Sequence, residues 1–300
     1  MKSLPFSKPG RWFRGNLHTH STRSDGTRTP AQVCAAYRRR GYDFLSLTDH
    51  FLDRYDWPIT DTNPFRAKGF TTIIGAELHA PRTSLGDPWH ILAVGLPADF
   101  AKTRKSETGP RLAQRARDAG AYVAVAHAAW YDLTDRDVLS IKAAHAIEVF
   151  NTTCARHNGK GDSNGTLDRL LSQGHRYHAI ATDDAHFSDG RPDGFMNWVM
   201  VRAGRPNPEA LLAALHKGHF YSSQGPEIRT MKITGKTLRL TTSPVRYIGV
   251  SSRGAGCVYV NAPRDISTAR IDLSGMAGSY GRLTVMDKNG RKAWTNPFWL

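Results

Sequence analysis

The chain has 300 residues, 40% of them hydrophobic, enough for a substantial core in one large domain or two. Lys and Arg total 41 against 26 Asp and Glu, a formal charge of +15, which favours anionic partners: phosphorylated small molecules, nucleic acid or an acidic surface. Three cysteines, Cys34, Cys154 and Cys257, are far apart and odd in number, so no disulfide framework is implied and a reducing, cytoplasmic compartment is expected.

Residues 1–15 are aromatic and basic without a long apolar stretch, unlike a secretory signal, and no later segment reaches transmembrane length. Leu17 leads into His18-Thr19-His20 and closes a first strand. Thr29-Pro30 opens a helix that Gly41 closes. Phe44, Leu45 and Leu47 run into Thr48-Asp49-His50 as a buried strand ending in polar chemistry. Residues 51–68 read as a loop over a site, 71–76 as a strand ending at Glu77, and 91–94 as a strand that His90 precedes from a loop. Residues 112–119 are helical. The strand 122–126 delivers His127, and 146–150 delivers Asn151. After the loop 158–161 comes a helix over 163–173, then the strand 179–181 delivering Asp183-Asp184-Ala185-His186.

Beyond Asp189 the pattern changes. Residues 190–206 read as loop around an apolar stretch at 196–201, and Asn207-Pro208 caps a last helix closed by Gly218. From Phe220 the chain alternates apolar and polar residues between turns, with a hairpin turn at 287–290, and predicts a small antiparallel β-sandwich-like domain. The predicted division is therefore 1–218 and 219–300.

Strand–helix alternation repeated about seven times predicts an α/β fold with a parallel sheet and outer helices. In a closed β/α barrel the C-terminal strand ends carry the chemistry. His18, His20, His50, Glu77, His127, Asn151, Asp184 and His186 all fall at or just after such ends, which scattered surface histidines would not do. In His18-x-His20 the period of two turns both rings to one face, and imidazoles facing carboxylates make a metal site.

His18-Thr19-His20 with Ser24-Asp25-Gly26, Thr48-Asp49-His50, Gly75-Ala76-Glu77, Ala126-His127 and Asp184-Ala185-His186 resemble the motif pattern of the PHP (polymerase and histidinol phosphatase) superfamily, over roughly the first two thirds of the chain. The resemblance implies a distorted seven-stranded (β/α) barrel with two or three divalent ions, usually Mn, Fe or Zn. Most characterised members are phosphoesterases, and some cleave other bonds, carbamate esters included. Carried onto this sequence, the pattern puts His18, His20, Glu77 and Asp184 on one ion. Glu77 bridges to a second ion held by His90 and His127, and Asp25, His50 and His186 hold a third. Many members have histidine where Asp25 stands.

The reading that follows is a metal-dependent phosphoesterase in which a metal-activated hydroxide attacks a small phosphorylated substrate. The alternatives are a metallohydrolase of a carboxylic ester, carbamate or amide, and a nuclease or nucleic-acid-binding protein. No helix-turn-helix, zinc finger or aromatic RNA-binding signature supports the last. Asp49 and Asp183 adjoin ligands and are expected to orient imidazoles. Arg23, Asn151, Arg156 and His157 are candidate substrate contacts. His79, His145, His175, His178, His216 and His219 fall outside the motifs and read as surface or capping residues. No nucleophile-elbow pattern is present.

Overall fold

A computed structural model describes residues 4–188, 190, 192–276 and 279–300; Asp189, where the sequence pattern changes, lies outside them. The first strand, β1 (Arg11–Asn16), stops just before Leu17. Helix α1 (Pro30–Arg39) starts where the sequence predicts, because Thr29 and Gln32 close a reciprocal capping box. Next come β2 (Phe44–Leu47), wholly buried, and the two-residue β3 (His50–Phe51). β4 (Thr71–Ala80) is longer than expected, because beyond Glu77 it stays paired with β3 on one side and with β5 (Trp89–Val94) on the other. His90 therefore lies within a strand and not in a loop. β5 runs antiparallel to β4, so its first residues reach the end of the sheet where its parallel neighbours finish.

The chain continues through α2 (Gly109–Asp118), β6 (Tyr122–Val125), α3 (Asp135–Ser140), β7 (Ala146–Asn151), α4 (Thr152–Asn158), α5 (Asn164–Ser172) and β8 (His178–Thr182). The stretch expected as loop holds a strand, β9 (Trp198–Ala203), in which Val199, Val201 and Ala203 are buried and alternate with half-buried Trp198, Met200 and Arg202. α6 (Pro208–His216) follows, with the Asn207 side chain accepting from the Ala210 N–H. The remaining strands are β10 (Phe220–Ser223), β11 (Ile228–Thr234), β12 (Thr237–Ser251), β13 (Cys257–Asp272), β14 (Tyr280–Met286), β15 (Lys292–Thr295) and β16 (Phe298–Trp299). No described helix is long and apolar enough to cross a membrane.

The strands form one large mixed sheet in the order β11-β12-β14-β15-β10-β9-β1-β2-β4-β5-β6-β7-β8. Parallel pairing holds for β1–β2–β4 and for β6–β7–β8, whereas β4–β5, β5–β6 and β1–β9 are antiparallel. The sheet is α/β in class but does not close into a barrel. Just beyond β8 the chain meets the residues after β1 at an isolated Thr19–Ala185 bridge and not in a strand pair. Two side chains, Ser222 on β10 and Asn296 just after β15, occupy the free edge of β8. Ser222 Oγ accepts from Ala181 N at 3.0 Å and donates to Ala179 O at 2.8 Å, and Asn296 Oδ1 accepts from Ala179 N at 2.8 Å. They satisfy backbone groups on the edge of β8 that a further strand would otherwise take. The tail is antiparallel, as predicted, and continues the large sheet through the β10–β15 pair.

One face of the sheet packs Leu17, Leu92, Ala124 and Ile180 with Leu211 and Leu215 of α6. The other packs Val123, Ile147 and Ala179 with Leu112 of α2 and with Leu167 and Leu170 of α5. Apolar contact on both faces leaves the strand ends as the place where polar side chains gather.

Candidate metal centre

His18 and His20 are fully buried with ring centroids 5.2 Å apart, as two residues on one face of extended chain should be. Register supplies the next pairs. His50 on β3 stands opposite Glu77 on β4, and His79 on β4 stands opposite His90 on β5. Glu77 is fully buried and is the hub. Its Oε1 lies 2.8 Å from His90 Nδ1, 3.2 Å from His127 Nε2 and 3.5 Å from His18 Nε2. Its Oε2 lies 2.5 Å from His50 Nδ1, but the aligned hydrogen bond from that nitrogen runs to His79 Nε2 at 2.9 Å. Asp184 Oδ1 is 2.8 Å from His20 Nε2 and 3.2 Å from His18 Nε2. Asp25 faces His50 Nε2 at 3.3 Å and His186 Nε2 at 3.4 Å.

Donor atoms fall into three groups, each within 4.8 Å: His18, His20 and Asp184; His20, Asp25, His50 and His186; and His50, Glu77, His79 and His90. His18, His20, Asp25, His50, Glu77, His90, His127, Asp184 and His186, picked from the sequence, are thus brought together. His127 and Asp184 hold backbone φ of +22° and +55°, in the left-handed region that costs a non-glycine residue energy. Each is pinned there, His127 N–H by Glu148 Oε2 at 2.7 Å and Asp184 N–H by His18 O at 2.9 Å.

The charges are strongly coupled. Burial disfavours a charged His18, but Asp184, Glu148 and Glu77 outweigh it and hold the imidazole well above its ordinary pKa. Burial likewise opposes charge on His50 and His186, yet Glu77 and Asp25 raise His50 to about 10, and Asp25 and Asp184 raise His186 to about 9. His20 and His90 go the other way, to about 3, because burial dominates and neighbouring imidazoles add to it. Burial alone would raise Glu77, Asp184 and Asp25, but the surrounding imidazoles hold all three well below the usual carboxylate range.

Two residues of the centre were not singled out in the sequence. His79, read as surface, is buried between His50 and His90, because period two puts it on the face of Glu77. That is the same spacing argument as for His18 and His20, and it was available in Glu77-Leu78-His79. Glu148, fully buried in the middle of β7, accepts from His18 Nδ1 at 2.9 Å, from Asn151 Nδ2 at 3.0 Å and from the Thr182 hydroxyl. A carboxylate inside an apolar strand was its only signal.

Other expectations need correction. Asp49 does not orient an imidazole. It accepts from Ser21 N at 2.7 Å and from the Ser21 and Ser24 hydroxyls at 2.8 Å, and so holds the loop that carries Asp25. Asp183 accepts from Tyr37 Oη at 2.7 Å and from the N–H groups of Phe195, Met196 and Asn197; burial pushes it up to about 6 against those bonds. Both carboxylates fix backbone. Asn151 is buried, with its amide donating to Glu148 and Asp184 and its oxygen capping α4, so nothing is left for a substrate. Arg23 is exposed away from the cavity wall, and Arg156 points to Met196 Sδ at 3.2 Å along a different cleft. His157 does line the cavity over the centre, edge-on to Trp130.

A divalent ion suits this donor set. His18 Nε2, His20 Nδ1 and Glu77 Oε2 are buried, face the cluster and have no hydrogen-bond partner among the described residues. Nitrogen and oxygen donors without cysteine suit Mn, Fe or Zn.

No protein-family model matches the sequence, and no curated protein matches it. The fold matches that of a two-domain protein from Bacteroides vulgatus described as containing a predicted PHP-like metal-dependent phosphoesterase, with TM-score 0.54, 15% identity and 99% of each chain covered. Two shorter matches each cover 60% of this chain and 90% of the other. One is a proposed metal-dependent phosphoesterase from Bifidobacterium adolescentis (TM-score 0.43, 18% identity), the other an amidohydrolase from Chromobacterium violaceum with bound sulfate (TM-score 0.45, 15% identity). The full-length likeness establishes a shared α/β fold; the chemistry rests on the residues around Glu77.

Proposed function

We propose that this chain is a metal-dependent phosphoesterase of the PHP class that hydrolyses a small phosphorylated molecule. The observation that carries the reading is the convergence of imidazoles from separate strand ends on the buried carboxylates Glu77 and Asp184, at the floor of a cavity of ≈ 340 Å³. His18, His20, Glu77 and Asp184 would hold one ion, Glu77 with His90 and His127 a second, and Asp25, His50 and His186 a third, making Glu77 the bridge. When bound, such ions supply the Lewis acidity that turns water into a nucleophile at neutral pH and takes up charge on the phosphoryl oxygens. The chain's own residues then have defined tasks. Glu148 takes the Nδ1–H of His18 and turns its Nε2 inward. The Tyr131 hydroxyl, 3.1 Å from His90 Nε2, leaves His90 Nδ1 facing Glu77. Trp130, Thr153 and His157 line the mouth.

In this reading β1 to β8 are an opened (β/α) barrel, residues 1–218 carry the catalysis, and 219–300 complete the sheet. The positive charge draws a small anion and not nucleic acid, since the arginines nearest the motifs are few. The compartment is cytoplasmic.

The test is elemental analysis of protein purified without chelator, then hydrolysis of phosphomonoesters, phosphodiesters and carboxylic esters by the manganese-loaded protein. Two or three equivalents of metal with phosphate release from a monoester are expected. Less than one equivalent, not restored by manganese or zinc, sinks the reading. Turnover of carboxylic esters alone moves the assignment to the carboxylic ester, carbamate or amide class. Tight DNA binding that falls steeply with salt moves it to a nuclease.

A further inference from the structure

A second cavity, of ≈ 490 Å³, lies beside the candidate metal centre and shares wall residues with a cleft that reaches it. Leu52, Asp53, His79 and Pro88 line both this cavity and a connecting cleft. His50, His90 and Tyr131 line both that cleft and the cavity over the centre. The three spaces thus adjoin in a row, and a molecule held over Glu77 has the side cavity as its neighbouring space.

The side cavity has a mixed wall. Phe51, Trp57, Pro81 and Pro88 form an apolar body. Trp57 packs on the core, with Lys102 Nζ 4.5 Å from its ring centroid and paired to Asp56 at 2.9 Å, so that charge is already neutralised. The far rim carries Arg82, Arg104 and Lys105, all exposed, against the single acidic Asp53. None of these three cations is in an ion pair among the described residues; the nearby Glu107 is paired with Arg115 at 2.9 Å and accepts from the Arg104 backbone N–H at 3.2 Å, so it offsets part of the Arg104 charge and leaves Arg82 and Lys105 as the freer cations. Thr103 also lines the wall, and its Oγ1 is buried without a hydrogen-bond partner among the described residues.

We propose that this cavity is the leaving-group subsite and that it takes an apolar, aromatic body whose far end is anionic. The proposal rests on the phosphoesterase reading and adds the substrate class: an aryl or arylmethyl phosphate carrying a distal acid. Water adds to phosphorus, the P–O bond to the organic group breaks, and the alcohol departs with a proton while its acid stays on the arginine rim. An exposed cationic rim supplies selectivity for sign more than raw affinity, and the apolar wall supplies the affinity.

Calorimetry on the manganese-loaded full chain tests this with three probes that cannot be hydrolysed: benzylphosphonate and its para-carboxymethyl and para-aminomethyl derivatives. The acid is expected to bind about tenfold more tightly than the amine, a difference of about 1.4 kcal/mol. In R104A/K105A that ratio should fall to about twofold or less, while W57A should weaken all three by roughly threefold to tenfold. Both sets of substitutions are on the surface rim or a loop, and circular dichroism with metal analysis verifies that each variant is folded and loaded. Equal binding of acid and amine by the wild type, or a ratio that survives R104A/K105A, overturns the subsite. Sign-selective binding without turnover of the matching phosphate esters leaves the subsite standing and removes the phosphoesterase reading instead.

Discussion

Two groups of histidines sit at opposite ends of the sheet, one set among carboxylates and the other around Tyr122 without them. At the C-terminal ends His18, His50, His127 and His186 beside Glu77, Asp184 and Asp25 are held above their ordinary pKa against burial, while His20, His79 and His90 among them are pushed below it by burial and by neighbouring imidazoles. At the N-terminal ends His145, His178 and His216 pack around Tyr122. His145 lies 4.8 Å from His216 between ring centroids, and the Tyr122 hydroxyl is 3.1 Å from His178 Nδ1. Burial, then the neighbouring His216, push both His145 and His178 down to about 4, with Arg117 and His219 adding to it. They behave as neutral aromatic packing. Clustering alone therefore does not make a metal centre; buried carboxylates that need cations do.

That comparison can be broken or sharpened by experiment. The largest effect is expected at Glu77. Glu77→Gln keeps the shape but removes the bridging charge, and should cut turnover by about a thousandfold or more. It should also lose more metal than Asp25→Ala, which touches only the third group. Equal metal loss in the two variants, measured by elemental analysis, removes Glu77 from the bridging position.

Glu148 comes next. It lines neither the cavity over the centre nor the side cavity, so Glu148→Gln should act through the two candidate ligands it holds, the His18 ring and the His127 backbone N–H, weakening metal affinity roughly tenfold to a hundredfold. Competition with a chromophoric chelator reads this directly. An unchanged affinity makes Glu148 a packing residue and places both ends of the sheet on the same footing.

The opposite end should answer to acid and not to metal. His178 has a folded pKa below its unfolded value, so the folded state binds fewer protons between about pH 4 and 6.5. Its contribution is present above pH 6.5 and is lost as pH falls toward 4, by roughly 3 kcal/mol for a shift of this size. His178→Gln should flatten the apoprotein's loss of stability over that window, read by urea unfolding, with metal content unchanged. A fall in metal content instead would mean that the two ends are coupled.

The smallest effect is expected at Asn296→Ala, which leaves the buried Ala179 N–H without its partner and should cost about 1–2 kcal/mol. Metal binding should stay intact. Loss of metal in a folded Asn296→Ala protein would give the tail a part in the centre beyond sealing the edge of β8.

The sequence by itself determined the α/β class, most strands and helices, and the residues that converge on Glu77. His18, His20, His50, Glu77, His127, Asp184 and His186 are legible because each stands at or just after the end of an apolar run, whereas Asp25 and His90 follow only from the resemblance to the PHP motif pattern. Tertiary structure alone decided the rest. β9 was hidden because a short half-exposed strand looks like loop until β1 pairs with it. The open edge of β8 is met by Ser222 and Asn296, which come from far along the chain and which no reading of the first two thirds of the sequence could place there. Asp49 and Asp183 adjoin candidate ligands and were expected to orient imidazoles, but their carboxylates turn away from the cluster and hold backbone and hydroxyl groups of loops. His79 shares the face of Glu77 by strand period alone, a spacing the sequence contains. Glu148 is different: it meets His18 from another strand, and whether a buried carboxylate meets an imidazole there is fixed by how the strands are placed, a relation no local window of sequence contains.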